Sequence, residues 1–173
     1  PDGMYGLVTN GGDNTVTVLR LPTMAVSQTV PVGADPGRIA ITESAATAQV
    51  AYVSNRLGNS VSELTRSGVW SVTRTIPVPD IPLGLALSAD RGLLYVTQLG
   101  SSSMASVRLA NAAIVGSTSV GTMPSAVAVA PGGARAVVAD FGGGTASVVA
   151  LAPQLAAQPA ESVRGTTASG QVQ

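Results

Sequence analysis

The chain has 173 residues, with nine basic and nine acidic side chains, so its formal net charge is zero. All the basic residues are arginine, there is no histidine or cysteine, and only 10% of residues are charged against 45% hydrophobic. This leaves no basic field for nucleic acid, no disulfide framework or thiolate metal site, and no imidazole for a catalytic triad, zinc centre or haem.

No apolar run reaches the ~18 residues of a membrane span. The chain opens on a turn, "PDG", and not on Met, which reads as an internal stretch of a longer sequence or the start of one whose leader was removed. In chain order, the first apolar alternation covers 5–10, followed by the turn "GGDN" and a second alternation over 14–20. Val, Ile, Thr and Tyr fill these segments while Gly, Pro and Asn bound them, which predicts short strands and tight turns. A third strand is expected over 25–31. Pro36 then introduces a strand over 37–42, where Ile39 and Ile41 flank Ala40 and give one bulky face and one small face. The same order follows twice more. Strands are expected over 49–54, 60–65 and 69–76, then 83–88, 93–98, 104–109 and 112–119, and finally 125–130, 135–140 and 145–151. The intervening "LGN", "LGSS", "GGG", "ADRG" and "PGGA" supply residues that tolerate positive φ.

These segments repeat. Val8, Val53, Val96 and Val138 align at intervals of 45, 43 and 42 residues, and Pro36, Pro82 and Pro124 each stand three residues before Ile39, Leu85 and Val127. A repeat of this length indicates propeller blades or a solenoid, and the period-two alternation excludes a helical solenoid. Each unit reads as four antiparallel strands, A to D, with the small-faced A strand innermost. The fold class is therefore all-β, with blade units over about 1–36, 37–82, 83–124 and 125–151. The first unit lacks an A strand and the last lacks a D strand. That makes about three and a half blades, a partial or open propeller where a closed one has four to eight. Residues 152–173 are rich in Ala, Pro, Ser and Gly without alternation, and read as a flexible tail or linker. The alternative is a last strand over 161–166.

The words "LVTN" (7–10), "NTVTV" (14–18), "TVPVGADPGRIAIT" (29–42), "YVSN" (52–55), "TIPVPDIPLGLALS" (75–88) and "YVTQ" (95–98) resemble the YVTN β-propeller repeat family, over residues 1 to about 151. The resemblance implies a bacterial or archaeal propeller protein, exported, periplasmic or at the cell surface. It does not imply one activity, because unrelated functions share the fold.

In a propeller the D–A and B–C connections meet around one mouth of the channel. That rim would carry Asp35, Arg38, Arg56, Asp80, Gln98, Asp140 and Phe141, candidates for binding a small molecule, glycan or peptide. The plain alternative is solvated loop tips. Asn10, Asn14, Asn55 and Asn59 recur in phase, which indicates turn stabilisation. Asp13, Asp35, Asp80, Asp90 and Asp140 lack the dense spacing of a calcium loop, and the glycine clusters lack the Lys-Ser/Thr ending of a phosphate loop. No metal or cofactor is expected. Trp70 is expected to pack at the outer edge of its blade. The leading expectation for function is a non-enzymatic binding or scaffold module of a larger exported or cell-surface protein, with protein, peptide or glycan partners. The segment is expected to be part of a longer closed propeller, the alternative being self-association of the isolated chain through its open blade edges. The alternatives are a lactonase-like propeller enzyme and an inert surface-layer repeat.

Overall fold

A computed structural model describes residues 3–42, 49–90 and 92–151. The tail expected over 152–173, and the alternative strand over 161–166, lie outside the described residues. Among the described residues, fourteen strands form four separate antiparallel sheets. The first holds β1 (Tyr5–Asn10), β2 (Thr15–Arg20) and β3 (Ala25–Pro31). The second holds β4 (Pro36–Ile41), β5 (Gln49–Asn55), β6 (Ser60–Ser67) and β7 (Val69–Pro77). The third holds β8 (Pro82–Leu87), β9 (Leu93–Gln98), β10 (Ser103–Arg108) and β11 (Ala113–Ser119). The fourth holds β12 (Pro124–Val129), β13 (Arg135–Asp140) and β14 (Thr145–Ala150). This is the blade pattern expected from the repeat, three strands at each end and four in each middle sheet. No helix among the described residues is long and apolar enough to cross a membrane.

The sheets stack face to face, and the alternation of each strand divides its side chains between two neighbours. Val16, Val18 and Val30 of the first sheet meet Ala51, Val53, Leu64 and Trp70 of the second. The other face of the second sheet, with Tyr52, Val61 and Ile76, meets Leu94, Val96 and Val107. Leu93, Tyr95 and Met104 then meet Ala136, Val138 and Val149. Trp70 is buried in the first of these interfaces, as expected for a packing residue. Its backbone N–H donates to Gln28 Oε1 at 3.0 Å, which ties the outer strands β3 and β7 together. The inner strands approach most closely where side chains are smallest: a Cβ on Gly84 would lie 2.8 Å from the Ala126 backbone.

The inner strands begin one residue earlier than expected, on the prolines themselves. An edge strand tolerates proline at its first position because no ladder hydrogen bond is lost. The residue before each proline departs further from expectation. Proline biases its predecessor to extended backbone, yet Asp35, Ile81 and Met123 have φ of 54°, 60° and 52°. Paired hydrogen bonds hold them there. The N–H groups of Arg56, Leu99 and Phe141 donate to the carbonyls of Asp35, Ile81 and Met123 at 2.9, 3.1 and 3.1 Å. Those of Gly58, Gly100 and Gly142 donate to Ala34, Asp80 and Thr122 at 3.1, 2.9 and 3.0 Å. Each D–A connection is thus stitched to the B–C turn of the following sheet, and these three junctions build the rim.

Candidate functional site

At the first junction, Arg56 Nη2 lies 2.8 Å from Asp35 Oδ1 and 2.7 Å from Oδ2. The side chains are 44% and 21% exposed, so the pair is reachable from solvent. Asn14 Oδ1 accepts the Asp35 N–H at 2.8 Å and fixes the loop under the carboxylate. Arg38 is exposed two residues into β4, and its N–H donates to the buried Ser54 Oγ at 2.9 Å. Gly37 lies between them in a crowded place, where a Cβ would meet Leu83 Cδ1 at 2.9 Å and Arg56 Cγ at 3.4 Å. The structure therefore pairs Asp35 with Arg56 at one junction and leaves Arg38 exposed on the strand that follows it, and guanidinium groups can receive an anionic or oxygen-rich ligand.

The other predicted rim residues divide between the second and third junctions. Asp80 is exposed, with φ of 62°. Gln98 is buried and Asp140 almost fully so. Phe141 is 75% exposed beside Asp140, its N–H held by Met123. Gln98 and Asp140 share a structural assignment with Asn10 and Asn55, because all four close strand B of their sheets. Asn10 Nδ2 donates to Thr15 and Thr17 hydroxyls at 3.0 and 2.8 Å. Asn55 Nδ2 donates to Ser60 and Ser62 at 3.0 and 2.9 Å. Gln98 accepts from Ser103 at 3.0 Å and donates to the Pro79 carbonyl at 3.2 Å. Ser147 donates to Asp140 Oδ2 at 2.7 Å and accepts from the Gly121 N–H at 3.1 Å. Each of these side chains latches a B–C hairpin, and two of them lie over glycine. A Cβ on Gly33 would fall 2.6 Å from the Asn55 amide, and one on Gly121 would fall 2.5 Å from the Asp140 carboxylate.

By sequence position the two asparagines read as structural, and Gln98 and Asp140 read as rim residues. The signal that unites them is phase: each stands two residues after the repeated valine. Asn14 and Asn59 do the structural work expected of them, accepting the Asp35 and Ile81 N–H groups across the junction.

Among the described residues, no cluster of three or more acidic, His or Cys side chains can hold a metal ion. Asp90 sits in an A–B turn, where a hydrogen bond from Ser88 and then the Gly92 N–H hold its carboxyl below the usual value. Both partners lie within two residues, so this is a local turn. Tyr52 is sealed between the second and third sheets, and burial, then the nearby Glu63 carboxylate, push its phenol up to about 12.

No family model matches the chain, and no curated protein does. Solved structures match well. Hydrazine synthase of Kuenenia stuttgartiensis is 24% identical with a TM-score of 0.72, over 87% of this chain and 47% of that one. The periplasmic gluconolactonase PpgL of Pseudomonas aeruginosa is 24% identical with a TM-score of 0.72, over 89% and 48%. A Bacteroides fragilis protein described as a candidate 6-phosphogluconolactonase is 19% identical with a TM-score of 0.70, over 86% and 48%. This chain spans about half the length of these structures. The likenesses establish the β-propeller fold. They also correct the leading expectation for function. A non-enzymatic binding or scaffold module is displaced as the better-supported reading by its lactonase-like alternative, because propellers described as lactonases are among the matches.

Proposed function

We propose that this chain is part of a lactone-hydrolysing β-propeller enzyme, with its reactive rim at the junction of Asp35, Arg38 and Arg56. The observation that carries the reading is the likeness to gluconolactonase propellers over nearly all of the described chain. The junction supplies suitable chemistry. Lactone hydrolysis needs a base to take a proton from water as its oxygen attacks the carbonyl carbon. It also needs positive charge for the oxyanion that forms, and a proton for the ring oxygen when the C–O bond breaks. In a chain without histidine the base is a carboxylate. Asp35 is reachable and oriented by Arg56 and Asn14. Arg38, three residues on from Asp35, is exposed and its guanidinium has no polar partner among the described residues, which leaves it available to the oxyanion or to an acidic group on the substrate. The repeat words support a YVTN-type propeller within this class. The periplasmic location of the Pseudomonas aeruginosa relative supports an exported protein.

The test is hydrolysis of glucono-δ-lactone and its 6-phosphate by the purified chain, followed by acid release against a buffer blank. The reading requires turnover above the blank, a fall in kcat of about 100-fold in Asp35→Asn, and a rise in KM in Arg38→Ala. Rates equal to the blank for both lactones would refute it.

A further inference from the structure

We propose that the second junction is an apolar seat, set by Ile81 and Leu99 beside the Asp35–Arg56 pair, for a hydrocarbon arm on the substrate. The inference rests on the lactone-hydrolysing reading and names its substrate class, lactones that carry a neutral hydrocarbon substituent. The three junctions share one backbone arrangement, so equivalent positions can be compared directly. The residue before each inner-strand proline accepts the N–H of the first residue of a B–C turn, which pairs Asp35 with Arg56, Ile81 with Leu99, and Met123 with Phe141. The first pair is ionic, while the second and third are apolar. The rim is thus divided into a charged sector and an apolar one.

Ile81 holds its place at a conformational cost. Its φ is 60°, and among the described residues it is the only β-branched residue with positive φ. Aspartate, as at Asp35, tolerates this backbone, whereas a β-branched side chain is a true outlier there. Pro82 raises the cost, because proline favours an extended predecessor. Core packing does not offset it. Among the described residues, neither Ile81 nor Leu99 belongs to the three apolar cores between the sheets. Both are partly exposed, although the second and third sheets that flank this junction are complete. Their exposure therefore does not arise where the described residues stop. Backbone strain of this kind concentrates at functional sites.

The seat adjoins the charged pair. The turn over 56–59 has Arg56 at one end, on Asp35, and Asn59 at the other, whose Oδ1 accepts the Ile81 N–H at 3.1 Å. Leu57 in this turn is 71% exposed, at a position where the other three B–C turns have Gly12, Gly100 and Gly142. Leu83, two residues past Ile81, reaches back towards the first junction. Its Cδ1 and Arg56 Cγ lie 2.9 and 3.4 Å from the point where a Cβ on Gly37 would stand. A lactone ring placed at Asp35 thus has apolar side chains as the neighbouring surface. Asp80, exposed beside Ile81 in the chain, disfavours an acidic group there, so the arm is neutral.

The probes are δ-hexalactone and δ-nonalactone, which carry a methyl and a butyl group on the same ring, hydrolysed by the full chain. The expected kcat/KM is about tenfold higher for the butyl compound, mainly through KM, because its extra methylenes partly leave water. Ile81→Asn should bring the two lactones to within about twofold of each other. It should also raise Tm by about 2–4 °C, because Asn accepts the left-handed backbone. Ile81→Val keeps the β-branch and should keep both the ratio and the Tm. A purely structural role for Ile81 predicts the opposite in Ile81→Asn, a lower Tm with the ratio unchanged. Binding is read separately, from the Ile81 methyl signals on titration with δ-nonalactone, and these should shift. Shifts without turnover would refute the lactone-hydrolysing reading and leave the seat in place. Equal kcat/KM for the two lactones, an unchanged ratio in Ile81→Asn, or methyl signals that do not move would each overturn the seat.

Discussion

Val8 and Val53 occupy the same position of the same repeat, but Val8 is 47% exposed and Val53 is fully buried. The difference is the neighbour. Val53 faces the first sheet, and Val8 has no sheet before it among the described residues. The far end mirrors this: Val137 is 45% exposed, while its counterparts Tyr52 and Tyr95 are 5% and 3% exposed. A repeat residue thus gains its burial from the next blade, and its own identity does not determine how much stability it contributes. The two complete middle sheets are covered on both faces, while the Asp35–Arg56 junction lies between the three-stranded first sheet and the second.

The largest effect that sharpens this comparison comes from charge. Val53→Asp or Val96→Asp should cost about 4 kcal/mol or more and leave little folded protein. Val8→Asp should cost less than about 1 kcal/mol. Urea denaturation measures both, and equal losses at Val8 and Val53 would break the comparison. Steric changes come next. Gly33→Ala and Gly121→Ala push a methyl group into Asn55 and Asp140, and should each cost about 2–3 kcal/mol. Gly12→Ala enters open space and should change stability by less than about 0.5 kcal/mol.

A third effect separates the middle interface from the ends by pH. The Tyr52 phenol ionises near 10 in the unfolded chain and near 12 when folded. The folded state therefore binds the proton more tightly. This contribution is fully present below pH 10 and is lost as pH rises from 10 towards 12, by about 2 kcal/mol. Tyr52→Phe should flatten that part of the stability profile, as followed by urea midpoints at stepped pH. An unchanged alkaline slope would show that another group controls it. The smallest contrast is between latches. Asn55→Ala strands two buried hydroxyls and should cost about 2 kcal/mol, while Asn10→Ala, at a half-buried site, should cost about 1 kcal/mol.

Strand positions were legible because alternation, turn residues and phase all agree at each repeat. The three-stranded end sheets among the described residues also follow from counting. The geometry of the D–A connections was not legible. Local chemistry disfavours a left-handed residue before proline, and the hydrogen bonds that enforce it come from a turn about twenty residues away. The site was partly legible. Asp35 and Arg56 are both rim residues by strand order, but their pairing is a tertiary contact. Gln98 and Asp140 look like rim charge and amide by position, and only the hydroxyls on the facing strand reveal them as latches.

Native-state hydrogen exchange, resolved by residue, tests most directly whether neighbouring blades confer the stability. The account requires β5 and β9 amides to exchange only through global unfolding, with β1 and the outer amides of β14 opening at clearly lower free energy. Uniform protection across β1, β5, β9 and β14 would contradict it.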